Sequence, residues 1–408
     1  MKKYLVFIEN SEGELDWISP FVKYESKKGA EFYFYLDRLG RDYEEKSCIL
    51  EKYGFDSSNL INGDEIFDPF DIFIYKVVNK LSYIYSGRSK LSRIFPTDKK
   101  RNDFFHFLLR PYFFLKKPNQ SNEKEVFDGI FRDYNIKSSL ALSYYLNINK
   151  KANVIVYPHA VGIQPKNENR VPPFKIKCDL WLENTKRSLY AKEVYEKEFF
   201  VSGPPALSDA IDNPLFDSES KNVLILTRNW MEQYGYNFED ALVLFDKLLE
   251  NLSHLGFKAI IKHHPRDESL ERWRDIQSKY DHIEEFKGSL SDFDTSLRVC
   301  LTLFSTAGIY VLAKGVPVID FSPYKKLSEF NVTLPFHFAS KDTEVVTHEL
   351  PSLGIYKQEQ NLEEIVNIVS DGLKLAHMSA SQQKILYSNF PSRANEVISS
   401  KLKEIRNL

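Results

Sequence analysis

Short apolar runs recur along the chain, and each is followed by a longer stretch whose apolar positions repeat with helical spacing. In the first half the runs fall at 4–9, 31–37, 153–157, 179–183 and 198–202, and in the second at 223–227, 259–262, 282–286, 299–304 and 316–321. Runs that are apolar throughout, rather than alternating, mark strands covered on both faces, as in parallel sheets flanked by helices. Helices are predicted at 18–28, 68–86, 123–135, 137–148, 238–255, 270–280, 305–314, 362–373 and 392–405. The polar segment 213–221 (NPLFDSESK) reads as a linker between two α/β halves. The expected organisation is an N-terminal α/β domain over 1–213 and a C-terminal α/β domain over 214–390. A final helix over 391–408 crosses back to the first domain.

Length and composition agree with this pattern. A chain of 408 residues suits two domains, and 43% hydrophobic with 27% charged residues is an ordinary globular balance that argues against disorder. A net charge of −2 excludes a chain-wide polyanion binder, so any basic site is local. The three cysteines, Cys48, Cys178 and Cys300, lack any CxxC spacing; a zinc ribbon or disulfide framework is unsupported and a reducing cytoplasm fits. The N-terminal apolar run is short and broken by Glu9, Glu12 and Glu14, which predicts a strand rather than a signal peptide. No stretch reaches the roughly 18 apolar residues of a membrane span. The segment 87–117 carries nine Lys/Arg against two acids, interleaved with aromatics. It suits either a peripheral contact with the inner face of a membrane or a solvated helical face. No stacking motif or recognition fold points to nucleic acid.

In open parallel sheets, ligands sit at the carboxyl ends of strands, and the chemically rich residues fall there. Lys262-His263-His264-Pro265-Arg266 follows one strand and makes a concentrated anion site; its bland alternative is a solvated basic turn. Phe304-Ser305-Thr306-Ala307-Gly308 follows another, where Ser305 or Thr306 would cap a helix whose N-terminus attracts phosphate, with Gly308 leaving room for close approach. Thr227 and Arg228 close the first strand of the second half, and Phe286 to Ser289, including Gly288, forms the loop expected to recognise a base. Asp320 lies at the end of the next strand and is weak evidence alone. In the first half, Tyr157-Pro158-His159 ends a strand, and His159 is a candidate general base or a structural histidine. Glu9, Glu12, Glu14 and Asp16 offer a carboxylate to deprotonate an acceptor hydroxyl, or form a solvated acidic loop. Gly203-Pro204-Pro205 suits a tight hinge. The chain has no GxGxxG after its first strand, no GxxxxGK[ST], no HExxH and no GxSxG, and no cofactor or metal site is predicted.

The order Gly-Pro-Pro205, Lys-His-His-Pro-Arg266, Ser-Thr-Ala-Gly308 and Gly-Val-Pro-Val-Ile319 resembles the GT-B glycosyltransferases of bacterial surface polysaccharides. The resemblance spans about residues 150–325. It implies two Rossmann-like domains facing a cleft, the N-terminal one over 1–213 binding the acceptor and the C-terminal one over 214–390 the nucleotide-sugar donor, with a metal-independent site. His264 and Pro265 match the His-Pro motif, and Ser305 and Thr306 the Ser/Thr pair, of bacterial sialyl- and polysialyltransferases, which grip the cytidine monophosphate of the donor. His159 matches the N-half histidine of teichoic acid glycerophosphotransferases loosely, and Glu12-Gly13 is a partial match to the sialyltransferase acidic motif. The expected function is transfer of a CMP-activated ulosonate, sialic acid or Kdo type, to a surface-glycan acceptor. The alternatives are a CDP-glycerol or CDP-ribitol polyol-phosphate transferase, a UDP-GlcNAc 2-epimerase-like enzyme, and a non-catalytic glycan-binding assembly protein.

Overall fold

The computed structural model describes residues 1–8, 12–36, 59–62, 126–133, 149–158, 178–185, 199–228, 238–264, 267, 269–288, 290, 293–323 and 349–405. It also describes isolated residues within 54–77 and 142–148, and two short strands within 338–347. The segment 87–117, His159, Pro265, Arg266 and the side chains of Glu12 and Asp16 lie outside the described set.

The first half is a seven-stranded sheet made of β1 (Lys2–Ile8), β2 (Ala30–Leu36), β3 (Leu60–Asn62), β4 (Gly129–Asp133), β5 (Asn153–Tyr157), β6 (Leu180–Glu183) and β7 (Phe199–Val201). Its order is β3-β2-β1-β4-β5-β6-β7, and every pair is parallel. Tyr4, Val6 and Ile8 face one side of the sheet and Leu5 and Phe7 the other, all of them buried. That is why β1 reads as an unbroken apolar run. Helix α1 (Glu12–Ser26) covers the first face with Leu15, Trp17, Ile18, Phe21 and Val22. The Trp17 ring stacks on Tyr157 at 5.2 Å between centroids, and its indole N–H donates to Asn184 Oδ1 at 2.8 Å. A helix just after β1 is thereby pinned across the sheet to the end of β6.

The second half carries β8 (Asn222–Leu226), β9 (Lys258–Lys262), β10 (Ile283–Glu285), β11 (Val299–Thr302) and β12 (Val318–Asp320). After the antiparallel pair β13 (Phe338–Ala339) and β14 (Val346–Thr347), β15 (Lys357–Gln358) completes the sheet. The order β10-β9-β8-β11-β12-β15 is parallel throughout. Between and after these strands lie α2 (Ala206–Ala210), α3 (Phe238–His254), α4 (Leu270–Gln277), α5 (Gly308–Ala313), α6 (Glu349–Ser352), α7 (Leu362–Ser370), α8 (Gly372–Asn389) and α9 (Ala394–Glu404). Helix α3 buries Ala241, Leu242, Phe245, Leu248, Leu249 and Leu252 in a helical stripe against one face, and Gly256, at φ 70°, ends it as the left-handed C-terminal residue such a stop requires.

Two regions depart from the sequence reading. Residues 129–133, within a stretch predicted as helix, form β4, the central strand of the first sheet. The Arg132-Asp133 pair gave the run a polar, helix-like spacing, yet Arg132 and Asp133 are both fully buried. The predicted linker 213–221 is no loose tether. Leu215 N–H donates to the Lys314 carbonyl at 2.8 Å, Phe216 bridges Leu297, and Arg298 donates to the carbonyls of Ser218, Val369 and Ser370.

The two halves share helices. Leu207 and Ala210 of α2 join the second-half core, while α2 also packs against α1 and α9. Ile398 and Leu402 of α9 enter the first-half core. Gly203, between β7 and α2, sits at φ 74°, and a Cβ there would come 2.5 Å from the Pro391 carbonyl oxygen. Gly203→Ala should therefore lose about 2–4 kcal/mol of stability, combining left-handed strain with a backbone clash. Chemical denaturation measures this, and an unchanged midpoint would show that the 203–391 contact does not persist in solution.

Candidate functional site

Because every strand of the second sheet is parallel, the turns after β10, β9, β8, β11 and β12 all emerge at one edge. This brings Phe286 and Gly288, Lys262 to His264, Thr227 and Arg228, Phe304 to Thr306, and Asp320 to Ser322 to a common rim. Neighbouring strands are about 4.8 Å apart, so the histidine turn and the Ser/Thr turn lie roughly 10 Å from each other with the end of β8 between them.

That middle position is used. Thr227 N–H donates to the Lys262 carbonyl at 3.1 Å, and Thr227 Oγ1 bonds His263 Nδ1 at 2.8 Å. Arg228 reaches the other way: its Nη1 donates to the Phe304 carbonyl at 2.8 Å, and its guanidinium lies over the Phe304 ring at 5.1 Å. The last two residues of β8's exit therefore tie both motif turns together.

The charges at the histidine turn differ from the sequence expectation. His263 is mostly buried and bonded on both ring nitrogens, to Thr227 and, at 2.7 Å, to Gln277 Nε2 of α4. With the Gln277 amide donating to Nε2, Nδ1 carries the proton and donates to Thr227. Burial lowers its pKa to about 4, so at neutral pH it brings no positive charge to the rim and acts as a brace. Lys262 Nζ donates to the Gly288 carbonyl at 2.5 Å and lies 5.5 Å from the centre of the Phe286 ring. His264 is half-buried and its carbonyl accepts from Asp267 N–H at 3.0 Å. Asp267, buried, accepts in turn from the fully buried Trp273 indole at 2.9 Å. Asp267 and Trp273 are supports that sequence reasoning missed, since neither belongs to a motif.

At the Ser/Thr turn, the helix starts later than predicted. Its N-cap is Ala307 with no side-chain cap bond, and α5 has six residues. Ser305 instead accepts from Ala307 N–H at 3.3 Å, within the turn. A six-residue helix offers little macrodipole, so the expected helix-end attraction for phosphate is weak here. Among the described residues, nothing bonds the Thr306 hydroxyl. Gly308 does not leave space for a ligand: a Cβ there would meet Tyr356 Oη at 2.9 Å and Val318 Cγ1 at 3.2 Å, so its missing side chain is filled by the protein. Gly288 likewise accommodates the Phe286 ring, 2.5 Å from where its Cβ would be, and that ring packs edge-on against Phe293 at 4.9 Å.

The corresponding edge of the first sheet carries buried ionisable groups. Glu14 in α1, Asp133 at the end of β4 and Glu183 at the end of β6 are 0%, 0% and 5% exposed. Trp181 Nε1 donates to Glu183 at 2.7 Å. Arg132 Nε donates to the Asp133 carbonyl at 3.2 Å, while its two terminal nitrogens are buried without a hydrogen-bond partner among the described residues. Of the acidic candidates read from the sequence, Glu14 is placed inward and Glu12 lies in the first turn of α1. Arg132 and Asp133 were missed because their strand was read as helix. Among the described residues no group of three His, Cys, Asp or Glu is placed to hold a metal ion, and no helix is long and apolar enough to cross a membrane.

No protein-family model and no curated protein matches the sequence. Solved structures do match the fold over the full chain. The S. aureus MnaA–UDP complex superposes with a TM-score of 0.54 at 15% identity, covering 100% of this chain and 98% of that one. UDP-GlcNAc 2-epimerase from Neisseria meningitidis bound to UDP-GlcNAc gives 0.52 at 12% identity over 99% and 100%. A further UDP-N-acetylglucosamine 2-epimerase gives 0.51 at 14% identity over 100% and 97%. The architecture is GT-B: two Rossmann-like α/β domains with parallel sheets of seven and six strands.

The buried neutral His263 makes stability pH-dependent. The unfolded chain takes up a proton near pH 6.5 and the folded chain only near pH 4, so acidification through this window favours unfolding. The loss approaches about 3 kcal/mol by pH 4 and then levels off. Denaturation midpoints of wild type and His263→Gln between pH 7 and pH 4 test this; the variant should lack that part of the slope.

Proposed function

We propose that this chain is a nucleotide-sugar enzyme that holds its nucleotide on the second sheet's rim and its sugar or acceptor against the first. The observation that carries the reading is the cross-tied rim, where Thr227 and Arg228, just beyond β8, hold His263 beside His264 on one side and Phe304 beside the Ser305–Thr306 turn on the other. The full-length likeness to UDP-sugar epimerases supports the epimerase-like alternative ahead of transfer from a CMP-activated ulosonate. In either reaction the bond to the anomeric carbon breaks toward a phosphate oxygen, and negative charge grows there. In this reading His264, Arg228 and the Thr306 hydroxyl would stabilise it, as preorganised donors do most effectively in a site shielded from water. A carboxylate of the first half, Glu14, Glu12 or Asp133, or else His159, handles the proton at the sugar or acceptor. Lys262 acts by fixing the 286–288 loop, which would lie beside the base.

Transfer to a glycan remains the second reading, favoured by the His264-Pro265 and Ser305-Thr306 motifs. Its CDP-polyol variant, a glycan acceptor and a peripheral membrane contact through 87–117 belong with it.

The test is a donor panel. UDP-GlcNAc alone should be converted to its 2-epimer without any acceptor, and His264→Ala should lower turnover about 10²–10³-fold with an unchanged melting temperature. Release of CMP from a CMP-sugar, or of CMP from a CDP-polyol, only when a glycan primer is present would instead establish transfer. Glycan binding with no turnover of any donor would defeat the enzymatic reading.

A further inference from the structure

Phe304 is the only non-glycine residue with positive φ among the described residues, at 49°. A bulky side chain in the left-handed region is strained and persists only when its surroundings hold it there. Here the holding groups are visible. The Phe304 N–H donates to Ser322 Oγ at 2.7 Å. The Ser322 hydroxyl donates in turn to Asp320 Oδ1 at 2.5 Å, and the same oxygen accepts the Ser322 N–H at 3.0 Å. Asp320 and Ser322 are both fully buried. The carboxylate takes the hydroxyl proton, so the lone pairs of Ser322 Oγ are turned toward Phe304. On the far side, Arg228 fixes the Phe304 carbonyl. The peptide units before and after one strained residue are thus gripped from β12 and β8, the two strands that flank β11. The next two residues are Ser305 and Thr306, with Ser305 N–H held by Thr302 Oγ1 at 3.2 Å.

We propose that Asp320 and Ser322 are positioning residues of the nucleotide site: they keep Phe304 left-handed and so aim the Ser305–Thr306 turn at the ligand. The proposal rests on the reading of that turn as a phosphate contact. Neither residue touches the ligand. Without the clamp, Phe304 relaxes to an extended or right-handed conformation and the turn leaves its place at the rim. A glycine at 304 adopts the left-handed conformation without help, so it should make the clamp dispensable.

The experiment is a double-mutant cycle read in nucleotide affinity. UDP and CMP are titrated calorimetrically into wild type, Ser322→Ala, Phe304→Gly and the double variant. Ser322→Ala should bind the preferred nucleotide about tenfold more weakly in the Phe304 background, the scale of releasing a strained backbone. In the Phe304→Gly background the same substitution should change affinity less than about twofold. Amide hydrogen exchange gives a ligand-independent measure: Ser322→Ala should speed exchange in the 303–307 peptide while the β8 peptide stays protected. Equal loss of affinity in both backgrounds, or unchanged exchange at 303–307, overturns the positioning role even when wild type binds. Failure of wild type to bind either nucleotide overturns the phosphate-contact reading and the proposal with it.

Discussion

The hydrogen bond from Arg228 to the Phe304 carbonyl, with its counterpart from Thr227 to His263, is the constraint on which the candidate site depends. A parallel sheet guarantees that strand exits share an edge, but it does not fix the loops that leave them. Here the middle exit, just beyond β8, supplies two consecutive polar side chains, one bonded to the turn of each neighbouring strand. One engages an imidazole, the other a backbone carbonyl and an aromatic face. The result is a rim whose geometry is set by short bonds between neighbouring strands rather than by the longer loops around it.

Arranging the rim this way changes the roles of its residues. A cluster of Lys, two His and Arg looks like a dense positive patch in one dimension. In three dimensions His263 is neutral and Lys262 is bonded to the Gly288 carbonyl, so much of the basic character serves to hold the loops. The two glycines that suggested ligand access, Gly288 and Gly308, make room for Phe286 and Tyr356. Among the described residues, the Thr306 hydroxyl at the same rim is bonded by nothing.

Much of the architecture was legible because parallel strands buried on both faces leave a plain signature, and the second half displays it with little interruption. Legibility failed where burial and polarity coincide. Arg132 and Asp133 are fully buried at the end of a central strand, and two charged residues in a row made β4 resemble a helix. The supports Asp267, Trp273, Asp320 and Ser322 belong to no motif, and the bond from Phe304 to Ser322 joins two separate strand exits, so spacing gives no hint of it; Asp320 was visible only as an isolated acid at a strand end. The fold class survived these errors because a chain of βα units tolerates one misread element. The candidate site was less legible, because which of its polar side chains brace neighbouring turns is set by contacts that spacing alone does not show.

The placement of α9 carries a consequence for how the molecule comes into being. Ile398 and Leu402 lie in the core beside Tyr4, Val6 and Trp17, so the first sheet to emerge during synthesis lacks part of its interior until α9 has been made. The N-terminal half is therefore not a self-sufficient folding unit that waits for its partner. It can collapse early, but its final packing is completed by α9, which follows the whole second sheet, and maturation of the two lobes is coupled by the order in which the polypeptide is built.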